Sequence, residues 1–267
     1  MSLTATVLAL SLFCLGYMAY YFSNRTRVFK TLAARLGGGA GGAGGGEGAA
    51  GGVGQAAGAA GLGADAGTRP AGVDAQEAGV YLEKTLGFVF IGLLPYIAAR
   101  AAGLTAAQAG LAWPAGPWAG RWWLGVVGFF LLLTAIRPRA RINVAFYPQV
   151  RAERWDLGRV VRNSSFWILY LLGYELAFRG FLLFPLAAAM GAPLAVAVNS
   201  ALYAFAHIYK GPGEAFGAFF LGVALCAVGL ATGSFAIPFV AHVILALGND
   251  YLAVAAHPAM GFGPRGG

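Results

Sequence analysis

Charge is scarce in this sequence. Asp, Glu, Lys and Arg make up 10% of its 267 residues, against roughly 25% in soluble domains. Histidine occurs three times and cysteine twice. Cys14 and Cys226 lie in separate apolar runs with no CxxC spacing. That excludes a disulfide framework and a thiolate zinc site, and leaves two small packing residues. No GK[ST] sequence is present to close a phosphate loop, so the glycine-rich stretch near the N-terminus is not read as a nucleotide site. Nor is there an internal repeat, which leaves an inverted-repeat transporter with little support.

What the chain has in quantity is apolar surface: 59% of residues are hydrophobic and the mean hydropathy is +0.69. These values predict an all-α, polytopic membrane bundle of about seven transmembrane helices. Residues 1–24 read as an uncleaved N-terminal anchor. No charged side chain precedes the apolar run 3–22, and Arg25, Arg27, Lys30 and Arg35 follow it, so the basic flank is expected in the cytoplasm. Residues 25–78 continue as that flank and a flexible Gly/Ala-rich tether, with 15 glycines among the 27 positions 37–63. A compact domain is expected over 79–262. Its apolar spans fall near 85–102, 122–136, 164–188, 192–209, 215–232 and 234–256, and Pro95, Pro185 and Pro238 are expected to kink or end helices. The net charge of +8 does not point to nucleic acid. Seven of the 18 basic residues are arginines between 137 and 162, beside apolar segments. This is the pattern of a cytoplasmic membrane face meeting anionic lipid. The stretch 141–162 is expected along that interface. The expected setting is a multi-pass protein of a bacterial inner (plasma) membrane.

Against this background three polar marks stand out. Glu175 and Arg179 sit four residues apart within GYELAFRGFLLFPL, a spacing that puts both on one helix face. Each would cost about 2.5–3.5 kcal/mol at the bilayer centre, and side chains that expensive are functional candidates. His207 lies on a stripe with Ser200 and Tyr203. His242 lies in GSFAIPFVAHVILALGND, with Asn249 two turns further on and Asp250 at another angle. Taken singly, each mark is also satisfied by a structural hydrogen bond. Together, one carboxylate and two imidazoles can activate water and stabilise an oxyanion. A zinc site would use the same three side chains, Glu175, His207 and His242, and residue type does not separate the two. No other cofactor is expected, and His257 is read as peripheral.

These three segments resemble, in order and approximate spacing, the motifs of the CPBP family (CAAX prenyl proteases and bacteriocin-processing proteins, also called ABI). Its EExxxRG motif is similar to YELAFRG, with Tyr174 at the first Glu position and Glu175, Arg179 and Gly180 matching. FxxxH is similar to Tyr203–His207, with Tyr for Phe. The third motif matches at Gly233, Ser234, Pro238 and His242, but Ala246 stands where an Asn is expected. The likeness covers about 160–255.

The resemblance implies an intramembrane endopeptidase of the glutamate-dependent type. Glu175 would serve as base or water ligand, His207 as its partner, His242 as oxyanion donor, and Arg179 would orient Glu175. The implied partners are a membrane-associated protein or peptide substrate and the lipid bilayer. The two departures touch the chemistry. A phenol is a poor general base at neutral pH, and the position after it on a helix points about 100° away. Asn249 lies about 10 Å further along an unbroken helix than His242. A pseudoprotease that binds membrane helices without cutting them is therefore the competing reading. A transporter or lipid-handling protein is the third.

Overall fold

The computed structural model describes residues 3–37, 74–114 and 118–263. The expected Gly/Ala tether lies almost wholly at 38–73, outside the described residues.

Helix α1 (Leu3–Ser23) is followed by the short amphipathic α2 (Arg27–Leu36). Thr26 caps α2, its hydroxyl accepting from the Phe29 N–H at 3.2 Å. Asp74 caps α3 (Ala75–Gly87) in the same way, accepting from Glu77 N–H at 2.7 Å. Each cap satisfies one of the backbone donors that a helix start leaves unpaired. A π-helical turn, Phe88–Leu93, joins α3 to α4 (Leu94–Ala101). Helix α5 (Ala119–Trp122) runs through a second π turn into α6 (Gly128–Ile136). Then come strand β1 (Arg154–Trp155) and α7 (Leu157–Glu175), capped by Asp156. A π-helical stretch, Leu176–Leu182, bends at Gly180 and leads into α8 (Leu183–Met190). The chain closes with α9 (Ala192–Phe205), α10 (Pro212–Thr232), α11 (Ala236–Ala256) and strand β2 (Gly261–Phe262).

Six of these stretches are long and apolar enough to cross a membrane: 6–23, 75–101, 119–136, 157–190, 212–232 and 236–256. Helix α9 is apolar but shorter, at 14 residues. It packs along α10 and against α8. This is the all-α polytopic bundle expected from composition. The expected spans shift in three places, the fourth beginning at 157 rather than 164. The second begins at 75 rather than 85, because the polar residues of α3 are buried against protein. The fifth stops as a helix at Phe205 rather than 209, where the backbone turns before Gly211 at φ +105. Pro238 falls in the first turn of α11, where a missing N–H breaks no helical bond, whereas Pro95 and Pro185 follow π-helical turns inside the continuous helical stretches 75–101 and 157–190.

The helices cross at close range where the site is built. A Cβ placed on Gly92 would lie 2.3 Å from Gly173 Cα, and one on Gly173 would lie 2.8 Å from Phe88 Cα. Only glycine permits this backbone contact between the α3–α4 span and α7, in the manner of small-residue packing in lipid. On one face of the bundle β1 pairs in parallel with β2, and Lys210 Nζ donates to the Tyr147 hydroxyl at 2.9 Å. That face carries the arginines of 137–162. On the opposite face Leu111 bridges to Ser234, and Phe235 N–H donates to the Gly110 carbonyl.

Candidate active site

Glu175 is the last residue of α7 and Arg179 lies within the π-helical stretch that follows. Widened turns of this kind are rare and recur at functional sites. Both side chains are fully buried, and Arg179 Nη1 donates to Glu175 Oε1 at 3.1 Å. The same oxygen accepts from His242 Nδ1 at 2.6 Å. His242 is the seventh residue of α11, so this contact joins two segments separated by 67 positions in the chain. Arg179 also lies 4.1 Å from the centre of the Tyr203 ring, a cation–π contact. Its Nε and Nη2, and Glu175 Oε2, meet no hydrogen-bond partner among the described residues.

Tyr203, on α9, links the two histidines. Its hydroxyl lies 3.3 Å from His242 Nε2. With His242 Nδ1–H given to the carboxylate, a neutral ring has Nε2 as acceptor and the phenol as donor. The Tyr203 carbonyl lies 2.8 Å from His207 Nδ1. A carbonyl only accepts, so Nδ1 of His207 carries the hydrogen and Nε2 is left as the acceptor of a neutral ring. His207 stands in the turn after α9, on the arginine-rich face, rather than on the helical stripe expected with Ser200 and Tyr203. It touches neither Glu175 nor Arg179 by a hydrogen bond. Of the four residues singled out by sequence, Glu175, Arg179 and His242 are thus in one contact cluster, and His207 joins it through Tyr203.

A small cavity of about 40 Å³ opens among Tyr174, His207 and His242, with Glu83, Lys84 and Lys210 also on its wall. That is room for a water molecule or two. Glu175 lies behind His242, with none of its surface exposed. Tyr174 packs edge-on to both imidazoles, with ring centres 6.4 Å from His207 and 5.7 Å from His242.

The polar residues after His242 do other work. Asn249 Oδ1 accepts from Arg137 Nη1. Asp250 Oδ2 accepts from Asn163 Nδ2 at 3.0 Å and Trp167 Nε1 at 2.7 Å, tying α11 to α7. At the position of the expected Asn, Ala246 is buried among Ile142, Tyr147 and Trp167. Glu175 Oε1 is shared between an arginine and a histidine N–H, and no group of three metal-binding side chains converges among the described residues.

Two features escaped sequence reading. Lys84 is an almost fully buried ammonium, 2.6 Å from Gln149 Oε1 and 3.0 Å from the centre of the Trp167 ring. An apolar span drawn from 85 leaves it outside. Buried Glu77 accepts from Tyr81, Arg159 and Arg162, fastening α3 to α7. The signal available was a single early carboxylate on α3 and two arginines at i, i+3 on α7.

Compared with known families, residues 159–248 match the model described as Type II CAAX prenyl endopeptidase Rce1-like, about a third of the chain. No curated protein and no solved structure gives a significant match.

Proposed function

We propose, on the premise that residues 159–248 belong to the Rce1-like family, that this integral membrane protein is an intramembrane endopeptidase. Its substrate is a membrane-associated protein or peptide, cut in maturation or in processing of a C-terminal sorting signal, in a bacterial inner membrane. The observation that carries the reading is the contact between Glu175 and His242, which joins the first and third motifs at a cavity also reached by His207.

In this mechanism Glu175 is a positioning residue. It is enclosed by Arg179 and His242 and has no exposed surface, so it holds the imidazole rather than meeting water itself. His207 is the base, because its tautomer leaves Nε2 as an acceptor on the cavity. The oxygen of a cavity water bonds to the scissile carbonyl carbon, its proton passes to His207 Nε2, and the carbonyl π pair moves onto oxygen. Collapse reforms the carbonyl and breaks the C–N bond, and the leaving nitrogen takes the proton from His207. No step uses a metal.

The test is the full chain reconstituted with a library of membrane-anchored peptides. His207→Ala is expected to lower the cleavage rate roughly 10²–10⁴-fold, as loss of a positioned base does, and Glu175→Ala to lower it as well. A zinc chelator is expected to leave the wild-type rate unchanged. Equal processing by the three proteins would remove the mechanism. The pseudoprotease reading is favoured by one observation, the closure of Glu175 from solvent. It predicts retention of membrane peptides without any cleavage.

A further inference from the structure

Four residues after His242 stands Ala246, an apolar side chain packed in an apolar cluster that offers no hydrogen-bond donor. The next asparagine along α11, Asn249, is engaged by Arg137. Most other donors around the cavity are engaged, and the two lysines each spend one N–H. His242 gives Nδ1–H to Glu175 and faces Tyr203 with Nε2, and His207 gives Nδ1–H to a carbonyl. Lys84 and Lys210 are drawn to Gln149 and the Tyr147 hydroxyl. The two unpartnered N–H groups of Arg179 belong to a side chain with no exposed surface, behind the cavity wall.

One hydroxyl is different. Tyr174 is 3% exposed, lines the cavity with both imidazoles, and its phenolic oxygen is buried with no hydrogen-bond partner among the described residues. Buried polar groups are nearly always paired, and an unpaired one calls for an explanation. Its ring is held by neighbours on several sides, with centres 4.6 Å from Phe178, 5.7 Å from Tyr170 and 5.8 Å from Tyr203. The group is preorganised before any charge develops, which is the condition for strong electrostatic stabilisation.

We propose that Tyr174 is a catalytic residue whose hydroxyl donates a hydrogen bond to the tetrahedral oxyanion. It rests on the proteolytic reading above. The phenol keeps its proton throughout. It releases the oxyanion when the carbonyl reforms and the C–N bond breaks, so no net proton is added or lost at this residue.

The test compares wild type, Tyr174→Phe and His207→Ala, each reconstituted as the full chain with the membrane-anchored peptide library. Phenylalanine preserves the ring packing and deletes only the hydroxyl. Tyr174→Phe is expected to lower kcat roughly 10²–10³-fold, the effect of losing one oxyanion donor, with KM within about twofold. A second measurement does not depend on turnover. A peptide phosphinate, tetrahedral and anionic at the scissile position, is expected to bind wild type more tightly than the parent peptide, and Tyr174→Phe is expected to lose that preference. If Tyr174→Phe cleaves at the wild-type rate while His207→Ala does not, the proteolytic reading stands and the role of Tyr174 falls. Phosphinate preference retained in Tyr174→Phe also overturns it. A wild type that cleaves nothing overturns both.

Discussion

At the scale of single residues, the organising unit is Arg179. Its guanidinium and the Glu175 carboxylate are both without exposed surface. Such a pair stabilises little relative to an apolar replacement of both partners, but removing one strands the other. Arg179→Met is therefore expected to destabilise the protein by about 3–5 kcal/mol, read by denaturant unfolding in detergent. Replacing both, Glu175→Leu with Arg179→Met, is expected to recover most of that stability while cleavage stays lowered. These two residues and both histidines were singled out as candidates in the sequence, and the structure brings Glu175, Arg179 and His242 into contact. Polar side chains are too costly in an apolar span to be there by chance, and their order matched a family pattern. Their partnership was not legible. Glu175 meets His242 across 67 positions, while His207 reaches the cluster through Tyr203 and Tyr174. That choice depends on helical phase and crossing geometry. Lys84 was lost for a simpler reason, since its burial comes from Trp167 and Gln149 rather than from its neighbours in the chain.

At the scale of elements, the crossing of α7 over the π turn between α3 and α4 sets the depth of the site. Gly173 immediately precedes Tyr174 and Glu175, and a Cβ there would press on the Phe88 backbone at 2.8 Å. A backbone neighbour cannot rotate away as a side chain can. Gly173→Ala is expected to cost about 1–3 kcal/mol by overpacking, read by thermal unfolding, and to lower cleavage because the two residues after it move with the helix. The long helices, their caps and their prolines follow from apolar runs and from Thr or Asp at the starts. The π-helical stretches were not foreseeable. Phe88–Leu93 and Leu176–Leu182 have the composition of ordinary membrane helix, and their wider turns answer to packing across the bundle.

At the scale of the whole molecule, the arginine-rich face gathers the segment 137–162, the turn carrying His207 and strand β2, while the loop near Gly110 and Ser234 lies opposite. The positive-inside pattern assigns the first face to the cytoplasm. In a background lacking Cys14 and Cys226, a cysteine at Arg139 is expected to react with an impermeant thiol reagent only from the cytoplasmic side, and one at Thr105 only from outside. Reversed labelling would overturn the orientation.

The size of the interior space reached by His207 has a bearing on what such a protein can cut. A helix with its side chains is about 10–12 Å across, whereas about 40 Å³ accommodates little more than solvent. On the proteolytic reading, a chain delivered to that imidazole is expected to arrive unwound, as a single extended strand displacing the resident wall. Discrimination among substrates then falls on how readily a segment frays from its helical form, with the lettering around the scissile bond a secondary influence.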